Sequence, residues 1–357
     1  MGGNTGQDDV EAARELVGQA RAAEQRAQTA VAVGLYDDAL AHFREESADP
    51  FVADLLRWKG TLLRERGETE AAYRCYTSSL TQASKARSDK CQASALNCLA
   101  IVAQRRGDLK ETERLYRRAS VFAAKAGATR LVGMIEQNRG VLANTRGDFA
   151  AAAAAYASAL GAFEEAGDLE AVSWVLNNLG MLNTRLRNFG DAKDHLERGL
   201  AIALDRKDTI VESIITLNLA EVWIGLGQID RADELCARSL AEAQRRGDHL
   251  TAAGALKCRA SIERERGALD KSIATLRIAL YEAEGSEDRL LHAEMLRELG
   301  EISRALGNSG AAKSAWREAQ ESFKSLGARH EVSDLKMRIN GFAPDDRTNS
   351  PPADLLG

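Results

Sequence analysis

Small and bulky apolar residues recur along this chain with a period of 40 residues. We call the seven positions that mark the period nodes; glycine occupies six of them and Arg187 the other: Gly67, Gly107, Gly147, Arg187, Gly227, Gly267 and Gly307. A small residue stands seven before, five after and twelve after each node. A bulky or apolar residue stands nine after, at Tyr76, Tyr116, Tyr156, Leu196, Cys236, Leu276 and Trp316. Seven registers that agree at five positions indicate an internal repeat rather than chance composition.

The repeat predicts a helical hairpin. Small residues before and after the node let two antiparallel helices approach closely, and the node glycine ends the first helix where a left-handed conformation costs it least. Each hairpin is expected to contain roughly 16 residues, a turn and about 18 more. The bulky residue nine after the node is expected to fill the space between one repeat and the next. At the one node without glycine, either Arg187 itself or Asn188 beside it takes the left-handed conformation, and Arg187 would do so at a cost of about 1 kcal/mol.

Composition favours an array of such hairpins over one compact core. Apolar residues make up 45% of the chain, charged residues 28%, and no proline stands between Pro50 and Pro344. A helix breaker is therefore missing from most of the sequence. The 357 residues also exceed the roughly 250–300 that a single core serves. Stacked hairpins bury the apolar face that one hairpin leaves exposed.

The charge balance and the terminal sequence limit the classes of partner. A net charge of -5 gives no general attraction to nucleic acid. The polar N-terminus has no apolar signal core, and the longest uncharged run, residues 149–163, is shorter than the ~20 residues that span a bilayer. These features predict a cytoplasmic protein that binds neither nucleic acid directly nor a membrane.

Chemical motifs of the common enzyme and metal-site classes are missing from the sequence. It contains no phosphate-binding glycine loop, no nucleophile elbow and no zinc-protease motif. The five cysteines form no CxxC pair, and no histidine completes a metal-ligand spacing with them. We therefore expect no enzymatic activity, no metal and no cofactor.

The same residues carry a resemblance to the tetratricopeptide repeat family. Leu-Gly on the first helix, a turn glycine, and small, bulky and small residues on the second are clearest in NNLGMLNTRLRNFGDAKDHLERGLAIALDRKD (177–208) and LNLAEVWIGLGQIDRADELCARSLAEAQRRGD (217–248). The 40-residue length resembles the subgroup of Leu-Gly-Asn-type adaptors and bacterial regulators. The resemblance covers roughly residues 15 to 330. It implies an all-α, right-handed superhelical solenoid of about eight hairpins with a C-terminal capping helix, acting as a protein-binding scaffold.

This resemblance predicts the organisation of the whole chain. Residues 1–9 and 342–357 are expected to be disordered, residues 10–330 to form the solenoid, and residues 329–341 to form the capping helix with Val332, Leu335, Met337 and Ile339 as its apolar set. The first hairpin, placed around Gly34, is expected to be a shorter repeat. The repeats are predicted near 15–48, 51–88, 91–128, 131–168, 171–208, 211–248, 251–288 and 291–328.

In this family the partner-binding groove is lined three, six, ten and thirteen residues before each node. The predicted groove is basic at each end, rich in amides in the middle and apolar toward the C-terminal side. The apolar patch consists of Trp174, Met181, Ile214, Leu217 and Ile224. Amides can satisfy a peptide backbone and arginines capture carboxylates, so we expect an acidic segment with one or two apolar anchors. The predicted groove also contains the acidic residues Asp54, Glu221, Glu294, Glu298 and Glu301. They weaken the expectation of an acidic segment near the C-terminal end. The predicted groove residues are Arg57, Arg64, Asn97, Gln104, Gln137, Asn144, Trp174, Asn177, Met181, Leu217, Ile224, Lys257, Arg264, Arg297 and Arg304.

Four alternatives stay open at this point. The asparagines nine before the node (Asn138, Asn178 and Asn218) are either ligands of the partner or structural bonds between neighbouring helices. The chain is either an adaptor or a sensory arm that changes superhelical shape on binding a signal peptide and controls an effector such as a transcription regulator. A third function is self-association through an exposed face. The acidic and apolar tail, 342–357, is a further candidate occupant of the groove.

Overall fold

The computed structural model describes residues 5–43, 48–284 and 288–341, and every regular element in these ranges is a helix. Consecutive helices pair as hairpins 1 to 8, from α1/α2 to α15/α16, and one further helix follows. The predicted all-α array of eight hairpins with a terminal helix is therefore confirmed. The helices are α1 Thr5–Gln25, α2 Thr29–Ala41, α3 Pro50–Glu65, α4 Thr69–Lys85, α5 Asp89–Arg105, α6 Leu109–Lys125, α7 Thr129–Arg146, α8 Phe149–Glu165, α9 Leu169–Arg185, α10 Phe189–Asp205, α11 Thr209–Gly225, α12 Ile229–Arg246, α13 His249–Glu265, α14 Leu269–Glu282, α15 Arg289–Ala305, α16 Ser309–Ser325 and α17 Arg329–Gly341.

The chain divides into two compact units, Met1–Arg139 and Gly140–Gly357, which we call unit 1 and unit 2. Helix α7 contributes residues to both. In each unit, second helices also pack against the first helix of the following hairpin, as α4 does on α5 and α12 on α13. The buried side chains of neighbouring hairpins thus form apolar clusters within each unit.

Left-handed residues end the first helices, as the node pattern predicts. Gly67 and Gly307 have φ angles of +81° and +75°. At the node without glycine, Arg187 itself is left-handed with φ 61°, and Asn188 beside it has an ordinary φ of -83°. The same conformation recurs between hairpins, where Lys207 has φ 55°. The repeat geometry is therefore kept even where the side chain opposes it.

The predicted register of the first hairpin is wrong. Gly34 lies inside α2 rather than at a turn, and the left-handed residue is Ala27, with φ 56°. Ala27 stands 40 residues before Gly67, so hairpin 1 follows the same period and is not a shorter repeat. Tyr36, nine residues after it, is 1% exposed, as its counterparts in other repeats are. Alanine does not mark a node in the sequence because it lacks the conformational preference of glycine.

Helix α1 begins at Thr5, inside the stretch 1–9 for which disorder is predicted. The predictions for residues 1–4 and for the tail 342–357 lie outside the described residues.

The bulky residue nine after the node packs against the next repeat, as Leu196 does with Ile215, and it also packs inside its own hairpin. A Cβ atom at Gly300 would overlap the indole ring of Trp316, and one at Gly140 would overlap the ring of Tyr156. Each glycine stands seven before the node on the first helix, and each ring comes from the second helix. At Gly300 and Gly140, glycine therefore makes room for a large ring with which a Cβ atom would collide.

Helix α17 covers hairpin 8 in unit 2. Leu335 is fully buried in one apolar cluster with Trp316, and Val332 and Ile339 pack against that cluster. Met337, predicted as part of the same apolar set, is 66% exposed. Residues 332, 335 and 339 follow the helical spacing of three and four, whereas residue 337 lies on the opposite side. No helix in the described part of the chain is long and apolar enough to cross a membrane.

Candidate partner-binding surface

First helices of neighbouring hairpins contact one another in each unit: α3 with α5 in unit 1, and α9, α11, α13 and α15 in succession in unit 2. Positions three, six, ten and thirteen before a node are spaced by three or four residues and share one side of each first helix. We call this the first-helix face. Arg57, Arg64, Asn97, Gln104 and Gln137 are its predicted site residues in unit 1, and the other ten belong to unit 2.

Two arginines on the first-helix face of unit 1, Arg57 and Arg64, differ in their hydrogen-bond and ion-pair partners. Arg57 donates from Nη2 to Asp54 Oδ1 at 2.8 Å, and its guanidinium lies 5.6 Å from the centre of the Trp58 ring. Arg64 comes only within 3.7 Å of its neighbour Glu65, and its Nε is buried with no hydrogen-bond partner among the described residues. A buried donor without an acceptor is costly, so Arg64 has the strongest unmet need for a partner in this unit.

Tyrosine hydroxyls from the second helices support the same face. Tyr116 donates to Gln104 Oε1 at 3.3 Å, and Tyr36 donates to Glu24 Oε1 at 2.6 Å. Burial raises the pKa of Tyr116 well above its usual value, so the hydroxyl stays protonated and remains a donor. The sequence pattern predicts only a packing role for these rings. Their hydroxyls also hold the side chain three residues before the node, which a pattern of apolar positions does not reveal.

The predicted amide row is largely engaged within the fold. Asn138 donates to Asn97 Oδ1 at 3.1 Å, and Asn218 donates to Asn177 Oδ1 at 2.7 Å. The acceptors are only 4% and 3% exposed. Asn138 and Asn218 therefore join first helices of neighbouring repeats, which is the structural alternative. A ligand role for Asn97 and Asn177 stays a prediction. A partner can contact these buried side chains only if the surrounding helices move apart.

The remaining amides of the row are not fully buried. Gln137 in unit 1 and Asn144 in unit 2 are both half-buried. Asn144 keeps a buried Oδ1 without a hydrogen-bond partner among the described residues. These two amides retain more capacity to bind a partner than the two buried acceptors do.

Lys257 in unit 2 lies between carboxylates of the preceding and following repeats. Its Nζ is 3.0 Å from Glu221 Oε1 and 2.6 Å from Glu294 Oε2, and the side chain is 12% exposed. Burial by itself would lower the pKa of Lys257, but the two carboxylates outweigh it and raise that pKa well above the ordinary value. Lys257 is therefore a charged, paired group inside the fold.

The other predicted cations at this end are also engaged. Arg264 contacts Glu298 at 2.7 Å, and the exposed Arg304 contacts Glu301 at 3.2 Å. Arg297 places its guanidinium 5.8 Å from the Phe323 ring centre. The partner of Arg264 comes from the next repeat, 34 residues away. This end of the face is thus charge-paired rather than simply basic.

The predicted apolar patch of unit 2 is divided between two clusters. Trp174 is half-buried and packs on the cluster that contains Leu196 and Ile215, whereas Leu217 and Ile224 pack on another. Met181 is 44% exposed and accepts a weak hydrogen bond from Asn177 Nδ2 at 3.6 Å. Among these, Met181 offers the most side-chain surface to a partner. No group of three or more His, Cys, Asp or Glu in the described residues could hold a metal ion.

Comparison with known proteins agrees with this architecture. Sequence models described as tetratricopeptide repeat match residues 92–123 and 130–205. The chain contains tetratricopeptide repeats. Its other hairpins have the same all-helical architecture, so it is an all-α repeat protein. No curated protein sequence matches the chain.

Solved structures extend the likeness in fold across most of the chain. A tetratricopeptide repeat protein from Parabacteroides merdae is 20% identical, with a TM-score of 0.55 over 81% of this chain and 98% of that one. A signal transduction ATPase with a tetratricopeptide repeat sensor from Pyrococcus horikoshii is 13% identical, with a TM-score of 0.62 over 92% of this chain but 50% of that one. A Rap protein complexed with competence and sporulation factor is 12% identical, with a TM-score of 0.59 over 94% and 97%. At these identities the likeness shows the fold alone, and the subgroup stays a prediction.

Proposed function

We propose that this tetratricopeptide repeat protein is a non-catalytic scaffold that binds a peptide or protein segment on its first-helix face. The observation that carries the proposal is the unmet hydrogen-bonding capacity of Arg64, a half-buried cation on a face built of aligned first helices. Buried polar groups are normally satisfied within a fold, so an unsatisfied one on a binding face favours a ligand. The Rap protein with the same fold was solved in complex with a competence and sporulation factor, which is consistent with this use of the fold.

The two units favour different ligand chemistry. In unit 1, Arg57 and Arg64 offer guanidinium groups whose carboxylate contacts come from their own helix, and Gln104 adds an amide. Guanidinium groups bind carboxylates through paired hydrogen bonds, so unit 1 favours an acidic segment. In unit 2, cations such as Lys257 already have carboxylate partners, and Met181 is the exposed apolar contact. We infer that unit 2 contributes an apolar anchor site and little net positive charge.

The acidic-segment proposal is tested with a displayed peptide library selected on the immobilised full-length protein. We expect the selected peptides to be rich in Asp and Glu, and Arg64→Ala to weaken their binding about tenfold or more, because a charge-assisted pair contributes roughly 1.5–3 kcal/mol. The matched control is Arg117→Ala, since Arg117 is 74% exposed on α6 and pairs along that helix with Glu113. Equal loss in both variants, or selection of basic peptides, would contradict the proposal for unit 1.

The apolar site of unit 2 has its own matched pair of variants. Met181→Glu is expected to abolish binding of peptides that carry a bulky apolar residue, whereas Met337→Glu changes a methionine that is 66% exposed on α17 and leaves binding intact. Circular dichroism of both variants checks that the helices remain folded. If the Met181→Glu variant binds these peptides as tightly as wild type does, Met181 is not part of the apolar anchor site.

The regulatory-arm alternative predicts something different from simple binding. A contact between α17 and the residues around Phe149 and Arg185 joins hairpins that are not neighbours in the chain, so a change of solenoid shape would break or form it. Compaction on binding, measured by small-angle X-ray scattering, favours the regulatory arm; an unchanged radius of gyration favours the adaptor. Self-association is separated from both by light scattering at several protein concentrations.

A further inference from the structure

Helix α17 makes contacts in two directions within unit 2. One side packs on hairpin 8, where Leu335 is buried beside Phe323 and Gln320 donates to the Val332 carbonyl at 3.0 Å. Its first turn, in contrast, reaches residues at the turns of hairpins 4 and 5. The second contact joins parts of the chain that hairpins 6, 7 and 8 separate in sequence.

Four side chains form that contact. Arg185 Nη1 lies 2.6 Å from Glu331 Oε1, and the Glu331 side chain is only 5% exposed. The His330 ring meets Phe149 edge to face, with centroids 5.1 Å apart and planes at 68°. The Arg185 guanidinium also lies 6.0 Å from the Phe149 ring centre. An ion pair and an aromatic pair are thus interlocked through Arg185 and Phe149.

Stacking does not require this contact. In a solenoid each repeat needs only its immediate neighbours, and its stability is close to a sum of repeat and interface terms. Hairpins 4 and 5 are already stacked through α8 on α9, and hairpin 8 through α15 on α13. The contact is therefore additional to the stacking of neighbouring hairpins and is not part of it.

The contact is also built to be released. Glu331 uses one carboxylate oxygen for Arg185, and its Oε2 is buried without a hydrogen-bond partner among the described residues. A buried carboxylate with an unsatisfied oxygen is held less firmly than one in a bidentate pair. Opening would rehydrate both charged groups, which offsets part of the lost attraction.

We propose that the first turn of α17 is a reversible strap: His330 and Glu331 dock on Phe149 and Arg185 and hold unit 2 in a closed form. Because Leu335 keeps α17 on hairpin 8, release moves α17 and the last hairpins away together. The strap is thus a shape control built into unit 2. It acts without a bound partner, so its test is independent of the proposed function.

A disulfide trap detects the closed form in the full-length protein. A Cβ atom at Gly147 would lie 3.4 Å from the His330 Cβ, close to the ~3.8 Å average of disulfides. We expect Gly147→Cys/His330→Cys to form an intramolecular disulfide when a thiol oxidant such as diamide is added, while neither single variant does. Mass spectrometry of peptides identifies the bond. Gly147 is left-handed, so circular dichroism first checks that the double variant keeps the helical content of wild type. If it does and both introduced thiols remain titratable after oxidation, the closed form does not exist in solution.

Charge exchange tests what holds the strap. On the double-cysteine background, Arg185→Glu is expected to lower the cross-linking rate about tenfold or more, because it places two carboxylates in one buried site. Adding Glu331→Arg restores the pair and the rate. Lys336→Glu, an exposed residue elsewhere on α17, is the charge-matched control and leaves the rate unchanged. An equal rate in the Arg185→Glu variant, or no rescue by the exchange, overturns the strap.

Discussion

Replacing Lys257 by methionine tests whether a predicted ligand-binding residue is instead a structural ion in unit 2. Lys257 Nζ touches Glu221 and Glu294, and its side chain is 12% exposed. Methionine retains most of the aliphatic volume but removes the charge, so the cavity term is small and the electrostatic term dominates. The two carboxylates then lose the cation that lies between them.

The expected loss is about 3 kcal/mol. Removing one partner of a buried ion pair costs roughly 3–5 kcal/mol, since the remaining charge stays buried and uncompensated. The lower end applies here because the Glu221 side chain is 37% exposed and can regain water. Surface pairs contribute about 0–1 kcal/mol by comparison. The two interpretations of Lys257 are therefore well separated.

Hydrogen exchange of the backbone amides of α13 and α15 is the suitable assay, because repeat arrays can open locally and a single unfolding midpoint is then not well defined. Lys324→Met is the control, since Lys324 is 69% exposed and lies 3.7 Å from Glu321. In the Lys324→Met variant, we expect the opening free energy of α13 and α15 to stay within about 0.5 kcal/mol of wild type. A loss below about 1 kcal/mol for Lys257→Met would refute the buried-pair argument.

The difference between wild type and Lys257→Met also depends on pH. Burial alone would raise the pKa of Glu294, but Lys257 and Arg297 reverse this and lower it below the ordinary value. A group with a lowered folded-state pKa stabilises above its unfolded pKa, about 4.3, and that stability disappears as pH falls through the folded value. The raised pKa of Lys257 keeps its contribution full up to the unfolded value of about 10.4. The difference should therefore be constant from neutral pH to about pH 10 and shrink in acid, because Glu294 loses Lys257 in the variant and is protonated there at higher pH than in wild type.

Three further substitutions, one of them with a matched control, test the local packing. Lys207→Gly relieves a left-handed residue with φ 55° and should stabilise unit 2 by roughly 1 kcal/mol in thermal unfolding; no gain would mean that the backbone is unstrained. Gly300→Ala collides with the indole ring it faces and should destabilise by about 1–3 kcal/mol in urea, whereas Gly310→Ala meets no atom closer than 3.7 Å and should be neutral or stabilising. Equal effects of the two would contradict the packing. Asn218→Ala leaves Asn177, which is 3% exposed, without its hydrogen-bond donor. It should lower the opening free energy of α9 by about 1–2 kcal/mol, so that the backbone amides of α9 exchange faster. Unchanged protection of these amides would show that the hydrogen bond contributes nothing to stability.

Local spacing in the sequence determined the hairpins, their turns and the terminal helix. The node at Gly67 and its equivalents specify where first helices end, because a left-handed residue is required there. The spacing of three and four residues places Leu335 in the core of α17. The same spacing brings the predicted residues of each unit to one side of the first helices. The glycine pattern does not identify Ala27 as a node, because alanine lacks the backbone freedom that marks glycine.

Only the tertiary structure decided what those side chains touch. The carboxylates around Lys257 come from the repeats before and after it, and Glu331 meets Arg185 across most of unit 2. Asn177 likewise finds its donor 41 residues away. A repeat pattern states which residues share a face, but pairing depends on distances between helices that are far apart in the chain. For that reason a row of cations that looks basic in sequence becomes a charge-paired surface once the hairpins stack.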